Sequence, residues 1–313
     1  MKKKYALFEM VFWLLFVLSA VFFSAHLPFI TIILIYGLFA VSLDIALGYA
    51  GILTVGHAAF FGMGAYTAGL YSIYVFTEPI SGVILAAAVC AVAGYLLSFL
   101  IVRGSDLSRL MITIGTVMLL GEVVRRFSAI TGGTDGLLGI DIAPVFGVFE
   151  FDFDGRTGFV YTFIVVLIMF LVARRLLRSP FGYSIQGIHD NPTRMQAIGT
   201  PIRQRLRWSY CVAAMFAGVA GALLAQTNQF VGIETLSFDL SAQVLIVLIL
   251  GGTGRLYGGM VGAIIYMLLH DYFIDMSPEY WMFWLGLSLI IIVRVGRGGV
   301  MTWLNSAFKE SKA

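Results

Sequence analysis

Residues 48–69 read GYAGILTVGHAAFFGMGAYTAG. The stretch follows one long apolar run and leads into another, yet its 22 residues hold Gly48, Gly51, Gly56, Gly62, Gly64 and Gly69. Average usage of about 7% would supply one or two glycines. Each glycine loosens a helix by roughly 1 kcal/mol relative to alanine. In lipid, broken helix is tolerated only where protein or a water-filled cavity covers the freed backbone groups. The stretch therefore reads as a bend at bilayer depth that lines a path. The competing reading is close helix packing through small residues.

Composition supplies the setting. The chain has 313 residues, 60% hydrophobic and 12% charged, with a mean hydropathy of +0.94. Soluble domains carry about 25% charged residues. The composition is that of an all-α polytopic membrane protein, a single transmembrane domain over residues 1–313. The net charge of +3 gives no reason to expect a nucleic-acid partner. Cys90 and Cys211 sit inside apolar runs without CxxC or Cys/His spacing, so they read as core thiols and no metal site is expected.

Working outward, apolar spans fall near 8–26, 29–47, 52–76, 80–102, 110–126, 157–173, 208–228, 239–254, 258–274 and 281–295. Several are shorter than the roughly 20 residues that cross a bilayer core. About 8–10 transmembrane helices are expected, including glycine-broken segments. The first run, after MKKKYALFEM, reads as an uncleaved helix, although Phe23-Ser24-Ala25 weakly resembles a cleavage site. With the N-terminus inside and the spans alternating, 17 of the 20 lysines and arginines fall on the cytoplasmic side. Only Arg125, Arg126 and Arg156 fall outside. The positive-inside rule asks for this bias, and it puts both termini in the cytoplasm.

Two polar loops stand out. The outer one, about 127–156, has Gly132, Gly133 and Gly136 at turn positions, and its FEFDFDG reads as a short surface strand. The inner one, about 174–207, carries seven arginines, with one or two short helices expected between Tyr183 and Gly199. Its length exceeds what topology requires, which favours a docking surface for a cytoplasmic partner. A second glycine cluster, GGTGRLYGGMVG at 251–262, is neither a phosphate loop nor a dinucleotide motif. Two glycine-broken segments, one in each half, are expected of transporters, though these two do not occupy matching positions.

Charged groups inside spans cost at least about 2.5–3.5 kcal/mol on insertion scales. Asp44 near the inner end of the second span reads as a helix-end hydrogen bond or as an anchor of the path. Glu122 reads as structural beside Arg125 and Arg126, and Glu9 lies within reach of the inner surface. Tyr49, Thr54 and His57 are the other polar side chains of the glycine stretch. His57 reads as a packing residue or as a donor to a substrate carboxylate. No nucleophile–base pair, HExxH or paired carboxylate is present, so no catalytic residues are expected.

Four stretches carry a resemblance to a known family: GYAGILTVGHAAFFGMGAYTAG, LGEVVRRFSAITGGTDGLLGI, RSPFGYSIQGIHDNPTRMQAIGTPIRQRLRW, and AGVAGALLAQ with LILGGTGRLYGGMVGAI. Over residues 29–295 the chain resembles the M-type branched-chain amino-acid permeases of ATP-binding-cassette importers. The resemblance implies a permease subunit, not an enzyme, that moves leucine, isoleucine and valine inward by alternating access in a bacterial inner membrane. It implies an H-type permease partner, two cytoplasmic ATPases that hold ATP and Mg, and a periplasmic binding protein. No cofactor is expected on this chain. Asp44, Tyr49, Gly51, Thr54, Gly56 and His57 would belong to the translocation pathway. Gly187, Asp190, Asn191, Arg194, Ala197 and Gly199 would couple to an ATPase. Ile52-Leu53-Thr54 and His189-Asp190-Asn191-Pro192 depart from the family's usual residues. Relatives resembling this chain carry urea, short amides or aromatic acids, so those substrates stay open. So does a proton-coupled carrier using Asp44, His57 and Glu122.

Overall fold

A computed structural model describes residues 2–22, 26–144, 149, 151 and 154–295. The Phe23-Ser24-Ala25 triplet, most of FEFDFDG, and Arg297, Lys309 and Lys312 lie outside the described residues. The described chain is helical throughout, with no strand; the pair Leu137–Val231 is an isolated bridge.

A helix stands at each of the ten spans read from the sequence. They are α1 (Lys2–Phe22), α2 (Leu27–Asp44), α3 (Ala58–Tyr74), α4 (Pro79–Ile101) and α5 (Asp106–Arg126), then α7 (Arg156–Leu177), α10 (Ile202–Asn228), α11 (Phe238–Gly251), α12 (Leu256–Met276) and α13 (Trp281–Val295). Between them lie the short α6 (Ser128–Thr131), α8 (Pro180–Asp190) and α9 (Pro192–Ala197). Among the described residues six helices are long and apolar enough to cross a membrane: α2 with its π-helical extension to Tyr49, α4, α5, α7, α10 and α12. The chain is a multi-pass membrane protein. α3, at 17 residues, is shorter than its expected span because irregular backbone precedes it, and α11, at 14, because it ends at Gly251 before the turn at Gly252.

The layers follow from burial. α2 and α10 form the centre, with 83% and 78% of their apolar windows buried, while α4 and α5 lie outside at 28% and 22%. Lipid tails are as apolar as leucine, so burial there stabilises through close packing and not through exclusion of water. Small residues permit that packing. A side chain at Gly221 of α10 would strike the Phe61 carbonyl of α3, and one at Gly64 of α3 would strike Gly218 of α10. On α1, Phe12 and Phe16 face the core while Val11, Leu14, Leu15 and Leu18 stay exposed.

The loops sort onto two ends. At one end the outer loop folds down on α3: the backbone N–H of Ala143 donates to Thr77, and Leu137 and Ile140 are buried against Gly69. Gly132, Gly133, Gly136 and Gly139 all adopt positive φ there, the turn geometry that glycine allows without strain. Leu137, Ile140 and Val231 form a small second core with Ala65, Tyr66 and Leu236. At the other end lie the α8–α9 hairpin, the α4–α5 turn and the α11–α12 turn.

Candidate functional site

The break announced by the glycine stretch is real but narrower than the stretch. Helix α2 continues through the π turn Ile45–Tyr49, and α3 begins at Ala58. Only residues 50–57 are irregular; Gly62, Gly64 and Gly69 lie inside α3 and serve packing. The bend read from the sequence is therefore at 50–57, and the close packing read beside it is at Gly62, Gly64 and Gly69. A π turn widens the helix and leaves backbone groups to be satisfied locally. Here the N–H groups of Gly51 and Ile52 bond back to Leu47 and Ala46 at 3.2 and 2.8 Å.

The irregular segment climbs back into the bundle. His57 Nε2 lies 3.0 Å from Ser42 Oγ, and the His57 ring stacks on Phe39. Ser42 stands two turns above Tyr49, so residues 50–57 rise by about 10 Å at 1.5 Å per helical residue. The N–H of Ala58 donates to Ser241 Oγ at 3.0 Å, which fixes the start of α3 against α11. Among the described residues the N–H groups of Leu53, Thr54 and Val55 make no hydrogen bond. Alternate side chains point opposite ways in this extended run. Thr54 and His57 are 1% exposed, with Thr54 against the Tyr210 hydroxyl, whereas Leu53 is 36% exposed and Val55 half-buried.

From the other end a second irregular segment descends. Val231 pairs with Leu137 beside Gly69, Thr235 and Leu236 press on Gly62, and Ser241 reaches Ala58. The chain thus runs down α3 by about 10 Å, from Gly69 to Gly62, before α11 starts, and its first turn reaches Ala58. Ser237 caps α11, its Oγ accepting from the Leu240 N–H at 3.1 Å. Nothing in the sequence beyond the Ser237 cap marks this descent.

The two glycine clusters meet. The Gly254 N–H donates to Asp44 Oδ1 at 2.7 Å, and a side chain at Gly48 would occupy the same space. Gly252 and Gly254 adopt φ of 102° and 71°, so α11 and α12 are separated by a glycine turn locked onto the inner end of α2. Asp44 is a helix-end anchor, 1% exposed, tied to backbone and not to a basic side chain. Tyr49 is half-buried, with its hydroxyl near the Leu256 backbone. Gly56 fits against the Thr113 carbonyl of α5.

Below this lies the arginine-rich loop, which is folded. Ser179 and Asn191 cap α8 and α9, accepting from the N–H groups of Gly182 and Arg194, and Pro180 and Pro192 follow the caps. Proline at a first helical position suits the helix because that N–H lacks a partner anyway. Gly182, Ile185 and Ile188 are buried, the Arg205 guanidinium lies 5.6 Å over Phe181, and Gly187 packs on Met195. Asp190, Asn191, Arg194, Ala197 and Gly199 are exposed, together with Tyr183 at 64% and Ile198 at 71%. Arg174 and Arg178 both pair with Glu9 of α1, which is 13% exposed.

One contact joins the hairpin to the break. Gly51, at φ 67°, lies under the ring of His189; an added Cβ would come within 2.8 Å of His189 Cδ2. His189 was not singled out in the sequence as a contact residue. Asp44, His57 and Glu122 are not brought together: the Glu122 carboxylate is 71% exposed and 3.6 Å from Arg125, not Arg126. Among the described residues no group of three His, Cys, Asp or Glu side chains could hold a metal ion.

Comparison with known proteins agrees with this architecture. Residues 26–293 match the model of the branched-chain amino acid transport system / permease component family. The chain is 28% identical over 292 residues to the high-affinity branched-chain amino acid transport system permease protein LivM of Escherichia coli, covering 85% of this chain and 67% of that one. A probable LivM of Methanocaldococcus jannaschii is 25% identical over 75% of this chain and 77% of its own length. A probable LivH of the same organism is 27% identical over 53% of this chain and 52% of its own. No solved structure matches.

Proposed function

The chain belongs to the branched-chain amino acid transport permease family, and on that premise we propose that it is the M-type permease subunit of an ATP-binding-cassette importer for leucine, isoleucine and valine. The observation that carries the reading is the irregular backbone at 50–57, joined through Gly51 and His189 to a folded hairpin with an exposed face.

The parts divide as follows. Leu53, Val55 and the free backbone N–H groups between them line the route, facing an equivalent segment of an H-type partner. Thr54, His57 and Gly56 hold that lining in place from behind, through Tyr210, Ser42 and α5. Asp44 and Tyr49 pin the lower end to the Gly252–Leu256 turn. The hairpin face of Asp190, Asn191, Arg194, Ala197 and Gly199, with Tyr183 and Ile198, receives an ATPase. Two ATPase chains hold ATP and Mg, and a binding protein delivers substrate at the opposite end. Hairpin movement reaches the route through His189 on Gly51. The hairpin end is cytoplasmic, as are both termini, in the bacterial inner membrane.

The test is reconstitution. The chain is placed in proteoliposomes with its H-type partner, ATPases and binding protein, and labelled leucine uptake is measured. Uptake should require all components and ATP, and this chain alone should neither hydrolyse ATP nor take up leucine under a proton gradient. Gradient-driven uptake by the chain alone would refute the proposal. Uptake of urea or an aromatic acid in place of leucine would retain the importer and change the substrate.

A further inference from the structure

At the hairpin end, the outer helix α4 packs along the exposed first turns of the central helix α10, and their seam closes in aromatic and basic side chains. The Tyr95 and Phe99 rings of α4 meet edge to face at 5.3 Å, and Tyr95 lies 5.3 Å from Trp208 of α10. The Arg207 guanidinium sits 4.1 Å over the Phe99 ring. Its Nε is closed off from solvent and has no hydrogen-bond partner among the described residues. Arg203 lies one turn away on the same face of α10, and Arg103 follows α4 by two residues; both are exposed. The nearest acid in the sequence, Asp106, is already paired with Arg109 at 2.8 Å. On the membrane side of this cluster Val92, Leu96 and Leu100 are 59–62% exposed, and Trp208 is 48% exposed.

We propose that this seam binds an anionic phospholipid, its headgroup phosphate held by Arg207 with Arg103 and Arg203 at the rim and its acyl chains lying along Val92, Leu96 and Leu100. A guanidinium offers a planar fork of donors that matches phosphate oxygens, and the half-buried Arg207 makes no ion pair among the described residues. Basic pockets between transmembrane helices suit anionic headgroups, and tryptophan and tyrosine settle at that level of the bilayer. The ligand does no chemistry; it occupies the groove and bridges α4 to α10, the pair against which α3 is seated. This site stands apart from the proposed route, so its fate does not decide that reading.

The experiment uses the full chain, purified with its permease partner and delipidated, and titrated with phosphatidylglycerol, with phosphatidylcholine, and with inorganic phosphate under native mass spectrometry. Phosphatidylglycerol is expected to bind at least fivefold more tightly than phosphatidylcholine. Arg207→Gln should reduce that preference to within twofold, with phosphatidylcholine adducts unchanged. Arg203→Gln, at an exposed position, gives a second reading if Arg207→Gln does not fold, and should weaken phosphatidylglycerol binding two- to threefold. Arg126→Gln, near the opposite end of the bundle, should change nothing. Equal binding of the two lipids by the native chain, or an undiminished preference in Arg207→Gln, overturns the proposal. Retention of inorganic phosphate as tightly as phosphatidylglycerol overturns the lipid as its source.

Discussion

Gly51→Ala tests the link between hairpin and route most directly. Gly51 sits at φ 67°, where an L-residue costs about 1–2 kcal/mol. The added methyl would also come within 2.8 Å of His189 Cδ2, but His189 is exposed and its ring can turn away. The steric part is therefore small, and the backbone part dominates. An energy of 1–2 kcal/mol alters an equilibrium by about 5–30-fold. If the 50–57 segment moves between two positions during transport, Gly51→Ala should lower leucine uptake by about that factor. ATP hydrolysis by the full complex should fall less, because in the proposed assembly the ATPases dock on the hairpin and not on Gly51. The assay is uptake per ATP hydrolysed in proteoliposomes. His189→Ala supplies the comparison: it removes the ring without straining the backbone. It should lower the coupling ratio a few-fold with folded stability unchanged within about 0.5 kcal/mol. The double variant should then be little worse than Gly51→Ala alone. If both single variants leave uptake per ATP unchanged, Gly51 and His189 do not transmit movement.

The remaining expectations concern anchoring and topology. Asp44→Ala removes the acceptor of the Gly254 N–H, a partly buried bond, and should cost about 0.5–1.5 kcal/mol in detergent denaturation, while Asp44→Asn keeps an acceptor and should cost less than half of that. Gly221→Val drives a branched side chain into the Phe61 carbonyl, so membrane-inserted folded protein should fall sharply, by fluorescence-detected size exclusion. Glu9→Gln leaves Arg174 without its partly buried partner and should lower stability by about 1 kcal/mol, an effect that 0.5 M salt reduces. Because Cys90 and Cys211 are buried, introduced cysteines report sidedness cleanly. Ala197→Cys and Thr253→Cys should react with a membrane-impermeant maleimide only from the cytoplasmic side, and Leu138→Cys only from outside.

Much of this was legible in the sequence because membrane helices announce themselves by length and apolarity. The break showed through Gly51 and Gly56, and short helices were expected between Tyr183 and Gly199, although the caps that start them, Ser179 and Asn191, were not read. Less local facts were hidden. Alternation over residues 53–55 leaves Leu53 and Val55 more exposed than Thr54, but a run of three residues is too short to display a period, and His57 faces in through Ser42 of α2. The descent before α11 consists of ordinary loop residues, so nothing local showed that it runs inward along α3. The two glycine clusters seemed unrelated because their positions in the two halves do not correspond. They meet because α2 ends where the α11–α12 turn lies, and Asp44 alone gave a hint. The His189–Gly51 contact spans two distant parts of the chain, and neither residue type suggests the other.

The meeting of α3 and α11 has an electrical consequence. Each helix starts deep in the bundle and they run apart, so two N-termini share one level, about 25 Å along α3 from Tyr74. Each such end carries roughly half a positive charge from aligned peptide dipoles. The Ser237 and Ser241 hydroxyls answer only part of it. The two ends thus add a positive field at the level of His57 that owes nothing to lysine or arginine. On the proposed route such a field would oppose sodium ions and protons and favour a carboxylate, so a bundle that opens for an acid would not have to leak the membrane's ion gradients.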